Sequence, residues 1–220
     1  GKNFADALAG SYLAAGKKAP IVLTNGKPDN IAELHTYIKE NVAEGGVVYI
    51  LGGTGAVPET AEKLDGYDVR RLFGESRYET NLEILEEAGI GGNEIIVATG
   101  KSFADSLSAS AVKLPILLVK PGMALSDSAK EIVEKMDKFY IIGGDAAVST
   151  QIEEELQVHG EVVRISGQTR YETSVAVANE FFADVDDAVV ASGKNFPDGL
   201  CGGPLAAAMN APLILTADGK

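Results

Sequence analysis

A ten-residue motif occurs three times in this chain, and its recurrence limits the fold more than any other feature. Gly1-Lys-Asn-Phe-Ala-Asp-Ala-Leu-Ala-Gly10 returns as Gly100-Lys-Ser-Phe-Ala-Asp-Ser-Leu-Ser-Ala109 and as Gly193-Lys-Asn-Phe-Pro-Asp-Gly-Leu-Cys-Gly202. Three further markers follow in constant order. The first is Pro20-Ile-Val-Leu-Thr24, Pro115-Ile-Leu-Leu-Val119 and Pro212-Leu-Ile-Leu-Thr216. Ile50-Leu-Gly-Gly-Thr-Gly-Ala-Val57 is matched by Ile141-Ile-Gly-Gly-Asp-Ala-Ala-Val148, and Arg71-Leu-Phe-Gly-Glu-Ser-Arg-Tyr-Glu-Thr80 by Arg164-Ile-Ser-Gly-Gln-Thr-Arg-Tyr-Glu-Thr173. The motif glycines are spaced by 99 and 93 residues and the last marker by 93. A period of that size is too long for a solenoid unit that needs its neighbours to bury a face, and it matches a small domain.

The chain therefore divides into a first repeat over 1–69, lacking its front part, a second, complete repeat over 70–162, and a third over 163–220, lacking its rear part. Because the sequence opens inside a motif, its natural start is expected upstream, and the absence of a leader says nothing about compartment.

Within the second repeat, Glu94-Ile-Ile-Val-Ala98, residues 114–119 and residues 138–142 are continuous apolar runs, the pattern of strands buried on both faces. A shorter strand over 69–73 precedes them, and another over 161–165 opens the third repeat. Helices are expected over 81–88, 104–112, 127–136 and 150–157, the last two capped by Ser126 and Ser149. Buried strands alternating with amphipathic helices predict an α/β fold: tandem small parallel-sheet sandwiches of four or five strands, Rossmann-like, with helices on both faces. In such sheets ligands bind beyond the carboxyl ends of the strands, the edge where Gly-Lys-x-Phe-x-Asp and the Gly-Gly turns fall.

A formal charge of −13 excludes a protein that wraps nucleic acid, which needs Lys and Arg to displace counterions. An anion could still bind through local arginines. No apolar run is long enough to span a membrane. Cys201 has no second cysteine to pair with and reads as a small core residue. His35 and His159 have no counterparts at other repeats, and no serine or cysteine is matched to a histidine and a carboxylate, so no catalytic set is legible.

Three features carry candidate chemistry. The turns at Gly52-Gly53 and Gly143-Gly144 resemble phosphate cradles but lack the Lys-Ser or Lys-Thr that a phosphate loop requires, so tight packing explains them better. The aspartates Asp6, Asp105 and Asp198 stand where Mg²⁺ could sit, but no second carboxylate accompanies each; Asp105 reads instead as a helix cap or a partner of Arg77. The pairs Arg77-Tyr78 and Arg170-Tyr171 can grip a carboxylate or phosphate while the ring stacks on a sugar, or can lock a turn by an Arg–Asp bridge.

Taken together, Ser166-Gly-x-x-Arg170-Tyr-Glu-Thr173, Ala191-Ser-Gly-Lys-Asn-Phe-Pro-Asp198, the Pro-Ile-Leu-Leu stretch and Tyr140-Ile-Ile-Gly-Gly144 resemble the cell-wall-binding type 2 repeat of surface-layer and cell-wall proteins in clostridia and related Gram-positive bacteria. The resemblance spans the whole chain. It implies a Toprim-like α/β fold, three repeats packed about a pseudo-threefold axis, and a secreted, surface-located, non-catalytic anchor without cofactor or metal. Its implied partners are an anionic wall polymer and neighbouring repeats or other copies of the chain. The polymer-contacting positions it implies are Arg77, Tyr78, Arg170, Tyr171, Asp6, Asp105 and Asp198. The alternatives are a Mg²⁺-dependent hydrolase or phosphoryl-transfer enzyme at the Asp105 edge, and a repeat that serves assembly alone.

Overall fold

The computed structural model describes residues 3–217. In chain order its regular elements are α1 (Ala5–Lys17), α2 (Pro28–Asn41), β1 (Val47–Leu51), β2 (Asp68–Leu72), α3 (Arg77–Ala88), β3 (Glu94–Thr99), β4 (Ile116–Val119), α4 (Asp127–Val133), β5 (Lys138–Ile142), α5 (Thr150–Gln157), β6 (Glu161–Ile165), α6 (Arg170–Phe181), β7 (Val189–Ser192), α7 (Pro197–Met209) and β8 (Leu213–Thr216). Short 3₁₀ turns lie at Glu59–Glu62 and Ser108–Ala111.

Every strand pairing is parallel, as the apolar runs and intervening helices require. The second repeat builds a four-stranded sheet in the order β4-β3-β5-β6, whereas the first and third contribute the two-stranded sheets β1-β2 and β7-β8. The stretch assigned above to the front of the third repeat joins the preceding sheet, since β6 pairs with β5 from Lys138↔Glu161 to Ile142↔Ile165. That sheet therefore crosses the 162/163 division.

Alternation along β3 sends side chains into two cores. Ile95 and Val97 join Phe139, Ile141, Val133, Ile152 and Leu156, so α4 and α5 cover one face. Ile96 and Ala98 turn to the other face, where Leu8, Leu107 and Leu200, the same position of the three motifs, are buried together. Each such leucine or isoleucine removed from water contributes roughly 1.5–3 kcal/mol. The motif phenylalanines close this core: Phe4, Phe103 and Phe196 form a triangle with ring centroids 5.5, 5.8 and 6.0 Å apart, tilted or edge to face. The three repeats thus meet around equivalent residues.

Three expectations are corrected. In the second repeat the motif does not form the helix expected over 104–112; it runs through tight turns into the 3₁₀ segment. Fifteen residues separate Gly100 from Pro115, where nineteen separate Gly1 from Pro20 and Gly193 from Pro212, so one helical turn is lost. Ser106, Ser108 and Ser110 also donate their hydroxyls to the carbonyls of Ser102, Asp105 and Leu107, the local bonding that competes with a regular helix. Second, Cys201 is exposed on α7 and not in the core. Third, α4 stops at Val133, three residues short of the expected end.

The Pro-led stretch forms strands β4 and β8 in the second and third repeats, but 20–24 in the first forms none. The cause is a missing ladder: β4 pairs with β3 and β8 with β7, and among the described residues the first repeat has no such partner. Asn81 of α3 closes the outer edge of β4, its amide donating to the Ile116 carbonyl at 2.8 Å and accepting from Leu118 N–H at 2.7 Å. Ser174 of α6 accepts from Leu215 N–H at 3.1 Å and does the same for β8.

Candidate functional site

The Arg-Tyr-Glu-Thr marker is a helix start. Ser76 and Thr169 are N-caps, and with Glu79 and Glu172 they form capping boxes: Ser76 Oγ accepts from Glu79 N–H at 3.4 Å and Glu79 Oε2 accepts from Ser76 N–H at 3.1 Å. The sequence carries this signal as Ser/Thr-x-x-Glu, which starts α3 at Arg77, four residues before the expected 81. The glycines before it are required by close approach, since a Cβ on Gly74 or Gly167 would lie 2.3 Å from that of Glu79 or Glu172. Arg77 and Arg170, at the first helical position, swing back onto the Gly-Lys motif. Arg77 Nη1 donates to the Gly100 carbonyl at 2.5 Å, and Arg170 Nη1 to that of Gly193 at 2.7 Å. The rings of Tyr78 and Tyr171 cover the same two glycines, and a Cβ there would meet ring carbons at 2.6 Å.

Each guanidinium also lies over the motif phenylalanine of the preceding repeat, Arg77 at 5.5 Å from the Phe4 centroid and Arg170 at 5.3 Å from that of Phe103. Asp105 reaches across the same joint. Asp105 Oδ1 accepts from Thr173 Oγ1 at 3.0 Å, while its Oδ2 sits 3.3 Å from where a Cβ of Gly143 would be. Asp6 lies likewise against Gly52. Burial pushes the Asp6 carboxyl above its usual range, against the opposing pull of the Arg77 guanidinium. Burial also raises the Tyr78 phenol, again opposed by Arg77.

Asp105 is therefore neither a helix cap nor a partner of Arg77, as expected above; its hydrogen bond is to the next repeat's threonine. The Arg–Asp bridge is replaced by arginine bonds to backbone carbonyls. Six of the seven candidates gather in two equivalent sets, Asp6 with Arg77 and Tyr78, and Asp105 with Arg170 and Tyr171. Asp198, in the first turn of α7, stands apart from both.

The first arginine of the marker carries a role that sequence reasoning missed. Arg71 Nη1 donates to the Gly52 carbonyl at 2.6 Å and Arg164 Nη1 to that of Gly143 at 2.9 Å, while Glu62 and Glu153 hold the guanidinium groups. Its equal phase in both markers was the available signal. These bonds fix the Gly-Gly turns, whose Gly52 and Gly143 take φ of 102° and 108°. We expect Gly143→Ala to lower unfolding stability by about 2 kcal/mol, because the left-handed φ is strained and the new Cβ would sit 2.9 Å from that of Ala147. Gly144→Ala, with nothing within 4 Å of the new carbon, should change the urea midpoint negligibly.

Between the second and third repeats the Asp105 set lines an open cleft of about 970 Å³ with Lys101, Lys194 and residues 167–169. Lys101, Arg170 and Lys194 thus line one cleft together with Asp105, in a chain of net charge −13. The two lysines are the second residue of the motif, another repeated position that the reading of candidate sites passed over. Among the described residues no group of three His, Cys, Asp or Glu side chains gathers into a cation site.

A pH effect follows from Asp6. A carboxyl raised in the folded state costs stability while ionised and relieves that cost as pH falls through its folded value. Relative to Asp6→Asn, the wild-type chain should therefore gain unfolding stability as pH is lowered from 7 into the acid range, measured by urea denaturation of both proteins.

The profile of the cell wall binding domain 2 family (CWB2) matches residues 1–62, 71–153 and 164–220. Two Bacillus subtilis (strain 168) proteins are similar in sequence. N-acetylmuramoyl-L-alanine amidase LytC is 29% identical over 225 aligned positions, covering 98% of this chain and 44% of that protein. An amidase enhancer is 32% identical over 155 positions, covering 68% of this chain and 22% of that protein. Among solved structures, Cwp8 from Clostridium difficile superposes with a TM-score of 0.85 at 30% identity, covering 97% of this chain and 38% of its own. Cwp6 from the same organism gives 0.84 at 26%, covering 97% and 36%. The chain spans less than half the length of each of these relatives. With its three motif-bearing repeats, parallel sheets and family match over nearly its full length, this chain belongs to the cell wall binding domain 2 family and is a cell-wall-binding module of the bacterial surface.

Proposed function

We propose that the module is non-catalytic and holds an anionic wall polymer at the joints between successive repeats. The observation that carries this reading is the presence of Lys101, Arg170 and Lys194 in the lining of one open cleft in an otherwise strongly acidic chain. An arginine fork and two ammonium groups suit carboxylate or phosphate substituents, and the edge of Tyr171 offers a surface for a sugar ring. Asp105 and Asp6 serve chiefly to hold the joint, with Thr173 and the Gly-Gly turns as their partners. The equivalent set Asp6, Arg77 and Tyr78 repeats the arrangement one joint earlier, so weak contacts add through simultaneous engagement.

The hydrolase reading is less well supported, because the Asp105 carboxylate already accepts a hydrogen bond from the Thr173 hydroxyl and no carboxylate cluster surrounds it among the described residues. Assembly between repeats is real in the aromatic triangle, yet that contact leaves the lysine-lined cleft open. A pull-down on purified walls, before and after extraction of the anionic polymer, tests the proposal. Retention should fall on extracted walls and with rising salt, whereas equal binding to extracted walls would sink it.

A further inference from the structure

The joint between the first and second repeats is built like the one between the second and third, but two of its positions differ. Gly144 and residues 167–169 line the cleft of the later joint, and their counterparts at the earlier one are Gly53 and Gly74-Glu75-Ser76. Arg77 and Tyr78 stand where Arg170 and Tyr171 do. Glu75, however, takes the place of Gln168, and Phe73 that of Ser166.

Phe73 directly follows β2, at the carboxyl edge where the Leu72 carbonyl accepts from the Gly52 N–H at 2.9 Å. It is 55% exposed, the most open aromatic side chain among the described residues. A lone exposed apolar side chain ordinarily calls for no explanation. The place of this one does. A Cβ on Gly53 would lie 3.7 Å from its ring atom Cδ2, so the ring rests against the glycine whose counterpart lines the later cleft. Thr54, the next residue of that turn, and Glu75, two beyond Phe73, are both exposed. Thr54 adds a neutral hydroxyl where the later joint has Asp145, whose carboxylate lies 3.7 Å from the Arg164 guanidinium.

An open aromatic face bordered by a carboxylate and a hydroxyl is the chemistry that holds a neutral sugar. The negative face of the ring attracts the C–H groups of a pyranose, while the oxygens beside it accept hydrogen bonds from the sugar hydroxyls. The same carboxylate repels an acidic substituent, which the Gln168 amide does not. We propose that Phe73 is the platform of a sugar subsite at the earlier joint, which takes an uncharged pyranose unit of the wall polymer while the later joint takes its acidic substituents. This assignment rests on the polymer reading above and divides the work between the joints. Contact with the ring is apolar and indifferent to salt, whereas the lysine-lined cleft acts through charge and is screened.

The test measures the affinity of the intact chain for purified anionic wall polymer at about 0.05 M and about 0.5 M salt. Phe73→Ser, which copies position 166, should weaken binding about fivefold by the same factor at both salts, with an unchanged circular dichroism spectrum because the side chain is exposed. Phe73→Trp, which keeps and widens the aromatic face, should bind at least as tightly as wild type. Nuclear Overhauser contacts should join the Phe73 ring protons to sugar-ring C–H groups in the wild-type complex. Undiminished affinity of Phe73→Ser, a loss confined to low salt, or absence of those contacts overturns the subsite. If amide shifts at 167–171 persist in that case, the polymer reading stands without it; if the wild-type chain binds no polymer at all, both fall.

Discussion

Replacing Asn81 by alanine lowers unfolding stability by about 3 kcal/mol, the largest effect expected from a single polar side chain in this protein. The side chain is fully buried, and both ends of its amide serve the outer edge of β4. Its removal strands the Ile116 carbonyl and the Leu118 N–H where no water reaches, so the loss is the desolvation cost of two backbone groups on top of the bonds themselves. Leucine at 81 should do no better, whereas Ser174→Ala, which frees the Leu215 N–H and removes the hydroxyl's bond to the Tyr171 carbonyl within its own helix, should cost about 1 kcal/mol. Urea unfolding followed by far-ultraviolet circular dichroism measures both. An unchanged midpoint for Asn81→Ala would show that the β4 edge is satisfied in another way.

Arg170→Ala reduces retention on purified walls by about tenfold or more while the chain stays folded. Three contributions vanish together: the bond to the Gly193 carbonyl, the stacking over Phe103 and one of the cations that line the cleft. Arg170→Lys keeps the charge but not the planar fork, so retention should lie between wild type and alanine. Charge alone would make lysine equal to arginine. If the arginine were only a structural clamp, Arg170→Ala would lower the urea midpoint and leave retention per folded molecule intact.

Much of this fold could be read in advance because a period repeats its own evidence. The runs at 94–99 and 138–142 stand on two cores and contain almost nothing but apolar residues, a pattern that one-dimensional reading resolves well. The capping serines at 126 and 149 were equally local, and both bond to the backbone N–H three residues on. What escaped depends on partners distant in sequence. Residues 20–24 look as strand-like as 115–119, but a strand exists only when another runs beside it. Asp105 reads in the sequence as a helix cap or a partner of Arg77, yet the partner within reach belongs to the following repeat, 68 residues away. The serines that dismantle the expected helix over 104–112 act through hydroxyl bonds whose choice depends on the shortened span to Pro115. Lys101 and Lys194 were visible in every alignment of the motif. Their presence in one cleft with Arg170 required knowing that the third repeat folds back over the second.

The central claim is that the joint between repeats, and not the outer faces of the sheets, holds the polymer. Titrating isotope-labelled chain with purified anionic wall polymer and recording amide shifts tests it most directly. The account predicts shifts concentrated at residues 101–105, 167–171 and Lys194, weakened by salt and lost in Arg170→Ala. Saturable binding with shifts confined to other surfaces, or with affinity unchanged in Arg170→Ala, would contradict it.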